Sequence, residues 1–244
     1  MTYLSIIIPA HNEANRLPKT LVSIDAYMSR QKYSYEIIVV ENGSNDDTVQ
    51  VVNKYANIMN GIRLISIPKR GKGIAVKTGM LEAKGEFRFM CDADLSMPID
   101  DISRFFSSDF SNYDIAIGSR EVKGSRRFNE PVFTHIRGRI FSNLVKIAAL
   151  PGFEDTQCGF KCFRAPIAID LFGRQRFYGM SFDVEILFIA TKLGYDIVEI
   201  PINWYFNPET RVRMVQDSFA MLKDIMILRK NWQSGLYDEK YNFK

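Results

Sequence analysis

Short apolar runs alternate with amphipathic stretches through residues 1–118 of the chain. The runs are rich in β-branched residues and end at polar or turn residues, which is typical of buried strands in a parallel sheet. They occupy residues 4–9, 37–40, 62–67, 87–91 and 114–117. Between them, apolar residues recur every three or four positions, which predicts helices around residues 17–28, 49–59 and 102–106. The pattern predicts an α/β fold, with a mostly parallel central sheet and helices on both faces.

The pattern is less regular after residue 120. Residues 121–134 are polar and basic without periodicity, so we expect a mobile loop that orders over a bound ligand. Pro201 interrupts an imperfect alternation of apolar and polar positions, which indicates an edge strand. The other predicted features are helices at 140–150, 181–193 and 214–228, the edge strand at 197–206, and a loose tail over 231–244.

Composition places the chain among ordinary folded proteins. Of its 244 residues, 46% are hydrophobic and 25% are charged, which excludes disordered and fibrous classes. The 32 Lys and Arg residues outnumber the 28 Asp and Glu residues by four, too small an excess to indicate a nucleic-acid partner. Cys91, Cys158 and Cys162 fit no metal or disulfide pattern, which favours a reducing, cytoplasmic compartment. No apolar run reaches the roughly 18 residues of a membrane span, and we expect no classical signal peptide.

Candidate chemistry lies where the predicted strands end, because ligands of parallel α/β sheets bind at that edge. The first strand ends without the glycine-rich turn of dinucleotide-binding proteins, and the segment RGKG at 70–73 lacks the spacing of a phosphate-binding P-loop. What remains is the pair Asp92 and Asp94, which follows an apolar strand. Carboxylates two positions apart on an extended segment leave the same face and can hold a divalent cation that also binds a diphosphate. The alternative is a loop with a helix cap.

Several further motifs accompany this pair in the order and spacing of a known family. The chain resembles the inverting nucleotide-sugar glycosyltransferases of family 2, which have the GT-A fold, and its later motifs are similar to the branch of dolichyl-phosphate glucosyltransferase and dolichyl-phosphate mannose synthase. The motifs are SIIIPAHNE (5–13), EIIVVENGSNDDT (36–48), RGKGIAVKTGM (70–80), DAD (92–94), GSR (118–120), DTQCGFK (155–161) and FDVE (182–185). The resemblance implies one GT-A catalytic domain over residues 1–230, with a nucleotide-binding half at 1–96 and an acceptor-binding half at 97–230.

The resemblance also implies roles for individual residues. Asp92 and Asp94 would hold Mg²⁺ or Mn²⁺, with Ser96 close to a further ligand position, and His11 would bracket the nucleotide rather than act as a base. Glu41 would contact the base, although the family usually has two aspartates where this chain has Glu41 and Asn42. The residues expected to bind the nucleotide-sugar are Pro9, Ala10, His11, Glu13, Glu41, Lys72, Asp92 and Ala93.

The expected acceptor is a polyprenyl phosphate, dolichyl or undecaprenyl. A phosphate monoester has a second pKa of about 6, so it is already an anion at neutral pH and needs cations rather than a general base. By resemblance, Arg120 and Arg211 are the cations that act with Asp92 in catalysis. Other arginines, read as solvated helix ends, are Arg126, Arg127, Arg137, Arg139 and Arg213.

Two alternatives remain open. A transferase that glycosylates a saccharide hydroxyl would need a base, for which Asp155 and Asp183 are candidates, although both are also explained as structural carboxylates. A non-catalytic nucleotide-sugar-binding subunit of a membrane complex is the second alternative. UDP-glucose is the favoured donor and GDP-mannose stays open. The helices at 140–150 and 214–228 carry flanking cations, so we expect a cytoplasmic protein with peripheral membrane contact. Core packing explains the apolar stripe at 140–150 equally well and is the favoured explanation of the stripe at 214–228.

Overall fold

Seven strands form the central sheet of the computed structural model, which describes residues 1–108, 112–208 and 214–238. The nine strands of the described residues are β1 (Leu4–Ala10), β2 (Tyr35–Asn42), β3 (Ile62–Ile67), β4 (Phe87–Met90), β5 (Ile115–Ser119), β6 (Arg126–Phe128), β7 (Lys161–Arg164), β8 (Ile197–Pro201) and β9 (Asn203–Tyr205). The central sheet has the order β3-β2-β1-β4-β7-β5-β8, and β6 pairs separately with β9.

The sheet is mostly parallel, as predicted. Four of its strand pairs, β1 with β2, β1 with β4, β2 with β3 and β5 with β8, run parallel, and only β7 is antiparallel to its neighbours β4 and β5. β8 lies at one edge of the sheet and ends at Pro201, as expected of proline in a strand. All five strands predicted before residue 120 are confirmed, within one or two residues at each end.

Helices cover both faces of the sheet, which confirms the predicted α/β fold. Successive residues of β1 point to opposite faces, so Ile6 and Ile8 belong to one buried cluster and Ile7 to the other. The helices are α1 (Leu17–Met28), α2 (Thr48–Ala56), α3 (Lys72–Glu82), α4 (Ile102–Phe105), α5 (Val132–Ala148), α6 (Ala165–Arg174), α7 (Phe182–Leu193) and α8 (Met214–Gln233). α1, α2 and α4 contribute to the first cluster, and α3 and α5–α8 to the second. Within the described residues, no helix is both long enough and apolar enough to cross a bilayer.

The prediction of an aperiodic loop over residues 121–134 is wrong in two places. Residues Arg126–Phe128 form β6, which runs parallel to β9, and the ring of Phe128 stacks on that of Tyr205 with 4.5 Å between centroids. α5 then begins at Val132, eight residues before the predicted amphipathic stretch. The pairing partner of β6 lies about 75 residues away in sequence, so local periodicity gave no sign of this strand.

The C-terminal tail is also better ordered than the sequence suggests. α8 continues to Gln233, and Tyr237 is only 1% exposed. The Tyr237 hydroxyl donates a hydrogen bond of 2.7 Å to Glu185 on α7, and the guanidinium of Arg174 donates to the Tyr237 carbonyl. The expectation of a loose end is therefore wrong as far as residue 238, while residues 239–244 lie outside the described part of the chain.

Candidate functional site

The predicted nucleotide-binding residues lie together at the carboxyl edge of β1, β2 and β4. These three strands are adjacent and parallel, so their final residues meet at one edge of the sheet. Pro9 and Ala10 end β1 beside Val40 and Glu41 of β2. His11 follows directly, and its Nδ1 lies 3.0 Å from the carbonyl oxygen of Asn42. The edge brings the motifs at 5–13 and 36–48 into contact.

The turn after β1 is fixed by hydrogen bonds to the turn after β2. Asn12 has a φ of +55°, a left-handed conformation that asparagine tolerates better than most residues. Its backbone N–H donates to Ser44 Oγ at 3.0 Å, and the N–H of Asn45 donates back to Asn12 Oδ1 at 2.7 Å. The N–H of Glu13 donates to Thr48 Oγ1 at 2.8 Å. The two turns therefore form one rigid wall of the site.

The two glutamates predicted to bind the nucleotide-sugar, Glu13 and Glu41, already have protein partners. Glu41 is buried, and its carboxylate accepts a hydrogen bond from the backbone N–H of Ser44. The carboxylate of Glu13 lies 3.4 Å from a guanidinium nitrogen of Arg16, three residues later. Glu41 thus shapes the turn that follows its own strand, in addition to its predicted contact with the base.

Asp92 is held between a lysine and a glycine. Its Oδ1 lies 2.7 Å from Nζ of Lys72, the first residue of α3. Its Oδ2 packs so closely on Gly159 that a Cβ at that position would lie 2.0 Å away. Sequence reasoning placed Gly159 in a family motif but gave no sign of this contact, because it depends on how the segment before β7 approaches the end of β4.

The rest of the segment is a strained turn. Ala93 accepts a hydrogen bond at 2.5 Å from the hydroxyl of Thr20 on α1, and Asp94 Oδ1 accepts one at 3.0 Å from the N–H of Ser96. Leu95, which lies between Asp94 and Ser96, adopts a φ of +46°, which is uncommon for a residue with a side chain. Backbone strain of this kind costs on the order of 1–3 kcal/mol and concentrates at functional sites.

This arrangement fits a divalent cation that takes some of its ligands from the protein and the others from a bound substrate. The described residues contain no group of three or more His, Cys, Asp or Glu side chains that could enclose a metal ion alone. Two neighbouring carboxylates are hard oxygen donors, and Mg²⁺ is commonly bound by one or two carboxylates together with phosphate oxygens. Asp92 and Asp94 therefore suit a cation whose remaining ligands come from a diphosphate and water.

A second ion pair near the first is fully buried. Lys161 Nζ is 2.6 Å from Asp183 Oδ1, both side chains are buried, and the same ammonium donates to the Cys158 carbonyl. Burial raises the pKa of Asp183, and the ammonium groups of Lys161 and Lys72 only partly offset it. Burial opposes the charged form of Lys72, but Asp92 and Asp183 outweigh it and raise the pKa of Lys72. The two pairs therefore form one cluster of four alternating charges, Asp92, Lys72, Asp183 and Lys161.

Arg120, which follows β5, forms a bidentate ion pair with Asp155. Arg120 Nε and Nη2 lie 2.6 and 2.9 Å from the two carboxylate oxygens, and the backbone N–H of Arg120 donates at 3.0 Å as well. Burial opposes ionisation of Asp155, yet Arg120 lowers the pKa of this carboxyl to about 2. Glu199 of β8 accepts the backbone N–H groups of residues 154 and 155. Asp155 is therefore a structural partner of Arg120.

The other predicted cations differ in their surroundings. Arg127 is paired with Glu121 and Glu130, and Arg139 is paired with Glu121 at 2.7 Å. The guanidinium groups of Arg120 and Arg127 lie 5.5 and 5.4 Å from the ring of Trp204, a residue that sequence reasoning did not single out. Arg126 is exposed. Arg211 and Arg213, and the side chain of Arg137, lie outside the described residues.

Comparisons with known proteins agree with the motifs. The family described as Glycosyl transferase family 2 matches residues 5–172. A dolichyl-phosphate beta-glucosyltransferase of Trichomonas vaginalis is 32% identical over 250 residues, covering 98% of this chain and 74% of that protein. One from Homo sapiens is 31% identical over 249 residues, covering 96% and 77%.

The solved structures give the fold. Mannosyl-3-phosphoglycerate synthase from Rubrobacter xylanophilus has a TM-score of 0.68 at 16% identity, with coverage of 96% of this chain and 75% of that one. Glucosyl-3-phosphoglycerate synthase from Mycobacterium tuberculosis, crystallised with Mn²⁺, UDP and phosphoglyceric acid, has a TM-score of 0.65 at 15% identity, with coverage of 93% and 77%. Both the predicted fold and the predicted family are confirmed. The chain belongs to glycosyl transferase family 2, in the branch that contains the dolichyl-phosphate beta-glucosyltransferases.

Proposed function

We propose that the protein transfers glucose from UDP-glucose to dolichyl phosphate with inversion at the sugar carbon. In this reaction a phosphate oxygen of the acceptor forms a bond to C1 of glucose, and the bond from C1 to the diphosphate breaks, so that UDP leaves with the electron pair. The choice of glucose and dolichyl phosphate as substrates is supported by the relatives that match almost the whole chain, which are dolichyl-phosphate beta-glucosyltransferases.

One structural observation carries the proposal: a single segment supports both the donor half and the acceptor half. Asp155 holds the guanidinium of Arg120, and four residues later Gly159 packs on the carboxylate of Asp92. A nucleotide-sugar bound at Asp92 and a phosphate bound at Arg120 would thus be positioned by the same stretch of chain. Such shared positioning suits a direct transfer, in which two anionic substrates must be held close together.

The chemistry of the nucleophile also favours a phosphate acceptor. A hydroxyl acceptor needs a general base, whose best pKa lies near the working pH. The pKa of Asp155 is lowered to about 2 by Arg120, and Asp183 is buried against Lys161 at 2.6 Å. The low pKa makes Asp155 a poor base. The pKa of Asp183 is raised by burial, but its side chain is only 3% exposed and is paired with Lys161, so it does not face a sugar hydroxyl. A phosphate monoester needs no such group, because it is already ionised.

On the donor side, Asp92 and Asp94 would hold Mg²⁺ or Mn²⁺. The bound cation would neutralise charge on the departing diphosphate. The wall formed by the turns after β1 and β2 would bind the base and ribose through Pro9, Ala10, His11, Glu13 and Glu41. Lys72 and Ala93 lie beside this wall and would also contact the nucleotide-sugar. Arg120 would face the acceptor phosphate with the three N–H donors that Asp155 does not use, and Arg211 is proposed to act with it.

The acceptor is lipidic, so we place the reaction at the cytoplasmic face of a membrane with peripheral contact. Val132 and Phe133 at the start of α5 are 71% and 82% exposed, a large apolar area for two consecutive residues. Lys123 and Arg126, which lie shortly before them in sequence, are exposed cations that suit an anionic lipid surface. Val132 and Phe133, the apolar tip of α5, come a few residues after Arg126 and Arg127 in the sequence.

The direct test measures transfer of radiolabelled glucose from UDP-glucose into material extracted by organic solvent. Dolichyl phosphate should accept the label with Mg²⁺ or Mn²⁺ present, and dolichol without its phosphate should not. GDP-mannose and undecaprenyl phosphate serve as the competing donor and acceptor. Label that entered a saccharide product, or that stayed on UDP-glucose with every acceptor, would contradict the proposal.

A further inference from the structure

The only cation described here in an ion pair with Asp92 is Lys72. Their atoms Nζ and Oδ1 are 2.7 Å apart, and the side chains are 21% and 29% exposed. The other oxygen, Oδ2, packs on Gly159. A divalent cation that binds Asp92 therefore meets an ammonium group already placed at one oxygen and a tightly packed backbone at the other.

The backbone of Lys72 is fixed on both sides, so the lysine cannot simply move away with its loop. Gly71 has a φ of +136°, and a Cβ there would lie 2.3 Å from the carbonyl oxygen of Tyr178. The side chain of Asn42 donates to the Gly71 carbonyl at 3.0 Å, and the N–H of Ile74 donates to the Tyr178 carbonyl at 3.2 Å. Lys72 can therefore exchange its ion-pair partner only by a movement of its side chain.

The neighbouring charges leave Lys72 few alternatives. Asp183 and Asp94 are the other carboxylates near it. Lys161 engages Asp183 at 2.6 Å, and Asp94 is the second proposed ligand of the same cation. A nucleoside diphosphate bound at this edge of the sheet would bring new anionic oxygens to the first turn of α3, where the helix dipole adds to the positive charge of the lysine. The diphosphate would thus give the ammonium a second partner at the same time as it supplied ligands to the metal.

We propose that Lys72 couples the binding of metal and nucleotide. It competes with a divalent cation for Asp92 and so weakens binding of the metal alone, and it exchanges Asp92 for the diphosphate when both arrive together. This inference rests on the proposed donor site at Asp92 and Asp94, and it assigns Lys72 a role beyond contact with the nucleotide. The enzyme would thereby take up the metal with its donor rather than before it.

The test titrates Mn²⁺ into the full chain with and without saturating UDP, and reads free Mn²⁺ by electron paramagnetic resonance. For the wild type, UDP should tighten Mn²⁺ binding by a factor within the usual range of coupling, about 5- to 150-fold. Lys72→Gln should bind Mn²⁺ alone about five-fold more tightly, the scale of a partly exposed ion pair, and should gain less from UDP than the wild type. Lys72→Arg, which keeps the charge, should restore most of the coupling.

Lys84→Gln is the matched control, because it removes the same charge from an exposed position at the opposite end of the sheet. It should behave as the wild type, and melting temperatures of all variants report folding. Unchanged or weaker binding of Mn²⁺ alone by folded Lys72→Gln would overturn the inference, as would an unchanged gain from UDP. These measurements involve no acceptor. Failure of glucose transfer to dolichyl phosphate with the coupling intact would therefore reject the proposed function alone.

Discussion

Arg120 and Asp155 form a bidentate ion pair at the end of β5, with nitrogen–oxygen distances of 2.6 and 2.9 Å. Paired geometry of this kind fixes the plane of the guanidinium as well as its charge. The arginine expected to meet the acceptor phosphate and the aspartate considered as a general base are thus one structural unit. Substitutions at the two positions cannot be interpreted independently.

The first prediction is that Arg120→Ala and Asp155→Asn are strongly coupled. Each change leaves a largely buried charge without its partner, which typically costs about 3–5 kcal/mol, so the double variant should be destabilised by much less than the sum of the two. Chemical denaturation of the four proteins gives the coupling free energy. The pair Arg30 and Asp100, 3.9 Å apart and well exposed, is the matched control and should show coupling near zero.

The same variants separate the acceptor classes. If a phosphate attacks, both single variants should lose transfer, because Asp155 orients the arginine that meets the acceptor. A stably folded Asp155→Asn protein without activity, beside an Arg120→Ala protein of nearly normal activity, would instead support a hydroxyl acceptor and a general base.

The second prediction concerns the dependence of stability on pH. The pKa of Asp155 is about 2 in the folded protein, below its usual value of 3.8. Its contribution is therefore present in full above pH 4 and is lost as the pH falls through 2, and it amounts to about 2 kcal/mol at neutral pH. The difference in unfolding free energy between the wild type and Asp155→Asn should shrink by about 2 kcal/mol between pH 4 and 2. A difference that stayed constant over this range would contradict the assignment.

The third prediction concerns the metal. Asp94→Asn keeps the hydrogen bond that its side-chain oxygen accepts from Ser96, but it removes a charged ligand for the proposed cation. Loss of that ligand should reduce glucose transfer by about 10²- to 10³-fold, since a metal contributes several kcal/mol to such a step. The melting temperature should hardly change. Asp100→Asn, an exposed carboxylate on the same stretch of chain, is the control and should keep full activity. Near-normal turnover of Asp94→Asn in excess chelator would refute the metal site.

The fourth prediction concerns the apolar tip of α5. Phe133→Ser should weaken sedimentation with vesicles that contain anionic lipid, because a buried phenylalanine side chain contributes about 1.5–3 kcal/mol. Ile58→Ser is the control, since Ile58 is 67% exposed but lies just after α2 rather than on α5. Equal loss of vesicle binding in the two variants would reject a specific membrane surface at Val132 and Phe133.

The sequence was sufficient for the part of the fold that depends on local pattern. The apolar runs predicted β1–β5, and their polar ends predicted the edge where Asp92 and Glu41 lie, because the ends of parallel strands converge. β6 and β7 were missed. β6 is three residues long and depends on β9, and β7 is inserted between β4 and β5 from a distant part of the chain.

The partners of the site residues were beyond sequence reasoning for the same reason. Residue types predicted a metal pair and a cationic acceptor site, but periodicity within one segment carries no information about which charges meet across segments. Lys72 contacts Asp92 over 20 positions and Arg120 contacts Asp155 over 35. These pairings decide which residues are free to bind substrate and which are held by the protein.

The fifth prediction addresses the packing of Gly159 on Asp92. A methyl group at position 159 would lie 2.0 Å from Asp92 Oδ2, so Gly159→Ala must displace the carboxylate, and a misplacement of about 1 Å in a catalytic group can cost about 100-fold in rate. Overpacking should also lower stability by about 1–3 kcal/mol. Gly179→Ala is the matched control, because nothing lies within 4 Å of a Cβ there, and it should leave both properties unchanged. Binding of UDP with Mn²⁺, measured by calorimetry, should weaken in Gly159→Ala together with the transfer rate. A Gly159→Ala protein that kept wild-type nucleotide affinity and transfer would show that Asp92 does not need this position, and would remove the link between the donor and acceptor halves.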